Sequence, residues 1–391
     1  MSVIGIVCEF NPFHNGHKYL IDSVKKQGDV VVCVMSGNYV QRGEPSIFPK
    51  DVRVSAALQN GVDLVLELPF VYATASAEYF AKNAVKILDA FGCDKIAFGT
   101  ENATVEELSK IVDILYDKDL DTKVKTYLEK GMNYPSARQS ALNEYSNTCN
   151  VSTPNNILAL EYLKALKEIN SKMNPIAISR IGVGYNDNFA VKNIASATYI
   201  RNLINNNEEF KKYVPENTCE LYKKTISQGN FLSYEKYDFI FQGILRSKMG
   251  GYNQKVANMS EGLENRIEDA VKNSVTLNEL YEKVKTKRYT HSRIRRAVLC
   301  QVFDVMEDDI EISVPYCKLL GYNNSFSNQI GEMVNKCKLP FIVRYSDINK
   351  LNNQVVNRIF EFENTSTDIY NLILHSTDVC SKEKTYFPKK I

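Results

Sequence analysis

At 391 residues the chain is longer than one ordinary hydrophobic core serves, so two or three domains are expected. Its formal net charge of +2 sets up no global field for a polyanion, and any nucleic-acid surface has to be local. Nine cysteines without a CxxC spacing argue against both a disulfide framework and a zinc ribbon.

The first apolar run opens at Val3 with no basic or cleavable leader, and no run approaches the roughly 18 apolar residues of a membrane helix. A soluble, cytoplasmic protein without membrane contact is expected. Strands are predicted over 3–10 (VIGIVCEF), 29–36 (DVVVCVMS), 63–69 (DLVLELP) and 94–100 (DKIAFGT). Helices are predicted between them, over about 16–26, 50–60 and 76–91. Near-continuous Val, Ile and Leu strands alternating with helices predict an α/β fold, a Rossmann-like doubly wound parallel sheet. Such sheets bind ligands beyond the carboxyl ends of their strands. There fall EFNPFHNGH, SGNYVQRGEP, ELPF and FGTE.

Residues 103–170 read as helical, with Pro154 opening PNNILALEYLKAL. PIAISRIG (175–182) predicts a fifth strand, and ASATYIRNLI a short helix capped by its serine. After about Asn205 the alternation stops. A mostly helical remainder is expected, with a basic segment at 283–296 and short strands late in the chain. The expected domains are 1–210, which binds nucleotide, and 211–391, mainly α-helical.

Two of the four histidines, His14 and His17, lie three residues apart directly after the first strand. On a helix that spacing puts both on one face. A zinc site needs three or four ligands, and no third His or Cys cluster lies at ligand spacing, so no metal site is expected. Two idle loop histidines are the plain alternative. The context favours an anion clamp: Gly16 between the rings lets backbone approach a ligand, and the helix that follows offers free N–H groups and a positive dipole end. Imidazoles beside that end donate hydrogen bonds to phosphate oxygens during nucleotidyl transfer.

Strand, turn and HxGH (His14-Asn15-Gly16-His17) resemble the signature of the nucleotidyltransferase superfamily, and IASATYIR (194–201) resembles its ISSTxIR element. The series EFNPFHNGH, VMSGNYVQRGEP, LELPF, FGTE, PNNILALEY and GYND…IASATYIR narrows the likeness. In that order, with KRYTHSRIRRAV (287–298) beyond, it resembles the tRNA(Met) cytidine acetate ligase family. The resemblance implies an ATP-dependent ligase. It forms acetyl-adenylate and passes the acetyl group to the wobble cytidine of elongator tRNA(Met), giving N(4)-acetylcytidine. Asn186 departs from the histidine expected in the family's GYHD.

By the same resemblance, ATP is surrounded by Val7, Cys8, Glu9, Phe10, Asn11, Pro12, Phe13, His14, Asn15, Gly16, His17, Lys18, Tyr19 and Leu20, with His14 and His17 catalytic. Gly99 lets adenosine pack on backbone, and Asn155 or Asn156 bonds base or ribose. Arg180 grips phosphate or stacks on the base. Ser196, Thr198 and Arg201 complete the phosphate cradle. In the polar loop 36–48, Arg42 is the expected partner of acetate or pyrophosphate, and Ser36 and Gln41 are expected to orient acetate. Mg2+ is expected to arrive with ATP, since no carboxylate cage is visible. The cytidine amine is a poor nucleophile, which explains the need for an activated anhydride, but no general base for its attack stands out.

The segment KVKTKRYTHSRIRR (283–296) holds seven Lys/Arg and no acid. Read alone, it is equally a solvated helix face or an RNA surface. The resemblance favours tRNA binding by Lys287, Arg288, Arg293, Arg295 and Arg296, with Tyr289 and His291 interleaved for stacking. No obligate protein partner is expected. The competing function is a small-molecule adenylyltransferase, which leaves the basic C-terminal half idle; a non-catalytic RNA-binding protein is the third reading.

Overall fold

The computed structural model describes residues 2–101, 103–132, 134–145, 153–180 and 193–391. The first layer runs β1 (Val3–Cys8), α1 (Asn15–Val24), β2 (Val30–Ser36), a small hairpin of β3 (Tyr39–Val40) and β4 (Glu44–Pro45), then α2 (Lys50–Leu58). It continues through β5 (Leu64–Leu68), α3 (Phe70–Ala73), α4 (Ala77–Phe91) and β6 (Lys95–Thr100). Four helices follow: α5 (Val105–Leu115), α6 (Lys118–Glu129), α7 (Tyr134–Asn143) and α8 (Pro154–Glu168). β7 (Asn174–Ser179) and α9 (Ala197–Asn205) lead into the helices α10 (Glu216–Ser227), α11 (Tyr234–Ser247), α12 (Leu263–Lys272), α13 (Leu277–Val284), α14 (His291–Phe303) and α15 (Glu307–Glu311). The last elements are β8 (Cys317–Tyr322), α16 (Ser327–Lys336), β9 (Phe341–Ile342), α17 (Tyr345–Leu351), α18 (Gln354–Leu372) and β10 (Lys389–Lys390). Among the described residues no helix is long and apolar enough to cross a membrane.

β5, β2, β1, β6 and β7 lie side by side in parallel, with Val3 opposite Val30 and Ile4 opposite Lys95. β2 shows why its sequence is apolar throughout. Val30, Val32 and Val34 enter one core, while Val31, Cys33 and Met35 enter the other, because a strand covered on both faces has no solvent side. α4 stops at Gly92, whose φ of 90° is the left-handed C-terminal turn. Ser196 caps α9 by accepting the Tyr199 N–H at 3.1 Å, as its sequence suggests.

The sheet continues past residue 210. β8 pairs antiparallel with β5, from Leu64 opposite Tyr322 to Glu67 opposite Lys318, and β9 and β10 pair with β8. Beneath this junction lies a cluster of buried charge. The Lys50 ammonium meets Glu67 at 2.5 Å, Glu383 at 2.6 Å and Glu363 at 3.0 Å, while Lys318 meets Glu67 at 2.7 Å and also Glu383. Glu363 accepts the Phe70 N–H at 2.8 Å. Burial opposes ionisation, yet Lys318 and Lys50 hold the Glu67 pKa at about 2. Three carboxylates against two ammoniums leave one carboxyl short of a cation; burial and the charge of Glu67 raise the pKa of Glu363. The three carboxylates converge to within 4.8 Å, a metal-like spacing, but the two lysine ammoniums already occupy the space between them.

Candidate active site

The carboxyl end of β1 opens into a cavity of about 450 Å³. The turn into α1 is tight, and Phe10 adopts a φ of +47° inside it, a strain on the order of 1–3 kcal/mol for a bulky residue. His14 is the N-cap of α1. Its Nδ1 accepts the Gly16 N–H at 3.0 Å, and the Nδ1 of His17 accepts the His14 N–H at 3.2 Å. The two imidazoles therefore form a reciprocal capping box, stacked with centroids 3.8 Å apart and 23° between planes. Since each Nδ1 accepts, the proton of each neutral ring sits on Nε2. Burial, then Arg180 and Arg201, lowers the His14 pKa to about 3; burial, then His14 and Arg180, lowers that of His17 well below its usual range. At neutral pH the pair is uncharged and can donate from Nε2 without titrating.

Gly16 has a reason the sequence did not suggest. A Cβ there would lie 2.9 Å from Cε1 of His14, so glycine makes room for the folded-back ring before any ligand is considered. At Gly99 the stem of Arg180 passes with Cγ 3.4 Å from the position a Cβ would take, an ordinary contact, so packing of the protein alone does not demand glycine there.

Of the residues expected around ATP, Val7, Cys8, Glu9, Phe10, Asn11, His14, Gly16, His17, Tyr19 and Leu20 line the cavity, together with Gly99, Asn155, Arg180, Ser196, Thr198 and Arg201. Pro12, Phe13, Asn15 and Lys18 are not in its wall. Phe13 is fully buried, Asn15 donates to the carbonyls of Asn193 and Lys212 at 2.8 and 3.0 Å, and Lys18 pairs with Asp22. Asn155 donates to Glu101, and the buried Asn156 braces the same turn by accepting the Glu101 N–H at 2.9 Å. Asn186 lies outside the described residues.

The loop after β2 divides. Gln41 and Arg42 line the cavity, and the Gln41 N–H donates to Glu9 at 2.7 Å. Burial raises the Glu9 pKa, opposed by that hydrogen bond and by Arg42, Arg53 and Arg201. Ser36 corrects the expectation: it is the last residue of β2, wholly buried, and does not reach the cavity. Its carbonyl accepts from Arg53 at 3.2 Å. Arg53 is a residue the sequence reading missed. Fully buried on α2, it donates to the carbonyls of Glu9 at 2.6 Å, Phe48 at 3.1 Å and Gly37, fastening the first turn to the loop. The available signal was an arginine set between Val52 and Val54 in a helix whose other residues are mostly apolar.

The basic segment divides too. Lys287 and Arg288 are exposed. Tyr289 is buried, its hydroxyl donating to the Glu261 carbonyl at 2.6 Å, so its ring is not open for stacking. Arg293 pairs with Glu261 at 2.9 Å. Arg295 turns inward to Glu44, which also lies 4.0 Å from Arg201. Thr290, Ser292 and Arg296, from the start of α14, line the cavity itself.

The HIGH Nucleotidyl Transferase family model matches residues 1–385. The chain is 38% identical over 393 residues to the tRNA(Met) cytidine acetate ligase of Acetivibrio thermocellus, covering 95% of this chain and 94% of that one. It is also 38% identical to the ligase of Thermoanaerobacter sp. strain X514, over 97% of each chain. Among solved structures, apo Thermotoga maritima TmcAL superposes with a TM-score of 0.95 at 31% identity over 100% of both chains. The same protein bound with alpha-thio ATP gives 0.92, over 100% of this chain and 99% of that one.

Proposed function

The chain belongs to the tRNA(Met) cytidine acetate ligase family of HIGH nucleotidyltransferases, and from that premise we propose how it works. It is a ligase that activates acetate with ATP and transfers the acetyl group to the wobble cytidine of elongator tRNA(Met). One observation supports the site assignment above others: two neutral, stacked imidazoles at a helix N-terminus, lining one cavity with Arg180 and Arg201.

In the first half-reaction an acetate oxygen attacks the α-phosphorus of ATP and pyrophosphate leaves. The Nε2–H groups of His14 and His17 donate to phosphate oxygens and stabilise the charge that develops, and the N-terminal end of α1 adds its dipole. Arg180, Ser196, Thr198 and Arg201 hold the phosphates, while Gly99 and Asn155 receive the nucleoside. Catalysis is mainly positioning and charge neutralisation, because phosphoryl transfer asks for little covalent help. Mg2+ would come on the phosphates. The cavity's carboxylates, Glu9 and Glu44, are already engaged by the Gln41 N–H and by Arg295, and form no cage for it.

In the second half-reaction the cytidine amine attacks the acetyl carbonyl. The C–N bond forms, the bond to AMP breaks, and the amine proton is lost. Residues 1–210 carry most of the nucleotide chemistry, with the start of α14 also lining the cavity, and 211–391 receive tRNA, with exposed Lys287 and Arg288 contacting phosphates. A cytoplasmic setting follows from the tRNA substrate. The decisive experiment supplies ATP, labelled acetate and tRNA, then analyses nucleosides by mass spectrometry. Labelled N(4)-acetylcytidine is the expected product; its absence, with ATP consumed on another small acceptor, would favour the small-molecule adenylyltransferase reading.

A further inference from the structure

Around the cavity some arginines already have partners. Arg201 donates to the Asn11 carbonyl at 2.8 Å and to Thr198 at 3.1 Å, and Arg295 pairs with Glu44. Arg42 lies within the field of the Glu9 carboxylate. Arg296 differs. Among the described residues its guanidinium meets no carboxylate, and its Nε is shut from solvent without a hydrogen-bond partner, while the side chain lines the cavity.

Its placement is built rather than incidental. Gly43, at a φ of +78°, packs directly on α14; a Cβ there would come 2.6 Å from the Arg296 nitrogen and 2.7 Å from the Arg295 carbonyl carbon. The loop that carries Gln41 and Arg42 is thus pressed against the backbone from which Arg296 projects. Arg296 is half-buried, and partial loss of water lowers its pKa to about 10, with Arg293 adding to the effect. A cation partly removed from water and without a carboxylate partner gains when an anion joins it.

We infer that Arg296 binds the carboxylate of acetate, so that α14, from the C-terminal half, completes the acyl-substrate site beside the loop 36–48. This rests on the ligase reading. A guanidinium presents two parallel N–H donors that match both carboxylate oxygens, and it removes part of the repulsion between acetate and the phosphates it must approach. Arg42 serves this purpose less well because Glu9 already competes for it.

The test is acetate-dependent ATP–pyrophosphate exchange, without tRNA, in wild type, Arg296→Ala and Arg296→Lys. Arg296→Ala should raise the acetate KM by about tenfold or more while the ATP KM stays within about threefold. Arg296→Lys should fall between, by at least about threefold, keeping the charge but not the fork; it also carries the test if the alanine variant does not fold. An acetate KM unmoved in both variants overturns the assignment. So does a rise in the ATP KM instead, which would put the triphosphate on Arg296, or a defect confined to tRNA acetylation, which would put an RNA phosphate there. A wild type without acetate-dependent exchange overturns the ligase reading first and this inference with it.

Discussion

In the ion cluster beneath β5 and β8, Lys50 and Lys318 each have carboxylates at 3.0 Å or less; in the cavity, Arg180 and Arg296 have none among the described residues. The loop 36–48 touches both regions. A Cβ at Gly37 would sit 2.6 Å from Glu363, and one at Gly43 would sit 2.6 Å from Arg296. The first region puts its charge out of water and pairs it with the chain's own groups, whereas Arg180 and Arg296 are half-buried and meet no carboxylate among the described residues. A compensated cluster holds the fold together, whereas an uncompensated one stores a cost that an anionic ligand relieves. On the proposed reading, the difference separates charges that hold the fold from charges that meet substrate.

Three measurements would break or sharpen that contrast. Lys50→Met strands three carboxylates with one ammonium, and should lose about 3–5 kcal/mol in denaturant unfolding, the usual penalty for opening a buried ion pair. A loss under about 1 kcal/mol would mean the cluster is not structural. His17→Ala should do the reverse: acetate-dependent exchange falls by about 100- to 1000-fold, as when one preorganised donor is removed, while stability falls by only the roughly 1 kcal/mol of a lost helix cap. Equal damage to stability would place His17 with the fold instead.

The smallest effect concerns acid. The folded His14 pKa is about 3 against an ordinary 6.5, so the unfolded chain takes up protons that the folded chain refuses. The stability this lends is full above about pH 6.5 and is lost progressively as the pH falls toward the folded value. His14→Asn keeps a side-chain acceptor for the cap but does not titrate. Its stability should therefore decline less steeply between pH 6.5 and about 4; an unchanged slope would remove His14 from the acid response.

The sequence was most readable where a signal is local. The run 29–36 became Val30–Ser36 and the helix 76–91 became Ala77–Phe91, because continuous apolar residues and a terminal glycine carry their own boundaries. HxGH was likewise readable as a helix start, with His14 as the cap of Asn15–Val24. Contacts made over long separations were not. CKLLGY looks like any short apolar run, and nothing local says that it pairs with Leu64–Leu68. Polar character misled at Ser36, whose type suggested an open loop although Arg53 and β2 bury it. It misled again at Tyr289 and Arg295, where positive charge along the chain suggested one outward face. Glu261 and Glu44 turn parts of that segment toward the protein instead.

The strand β8 has a consequence for how the molecule is made. Lys50 meets Glu383 across 333 residues of chain, and β5 receives its neighbour only after residue 317 has been translated. At about 5–20 residues per second, the early sheet waits on the order of tens of seconds with an unpaired edge. During that interval the nascent chain exposes a template for wrong partners, and a lysine destined for burial stays in water. The protein reaches its native sheet only late in synthesis, so chaperone contact along the β5 edge is most valuable to the half that is made first.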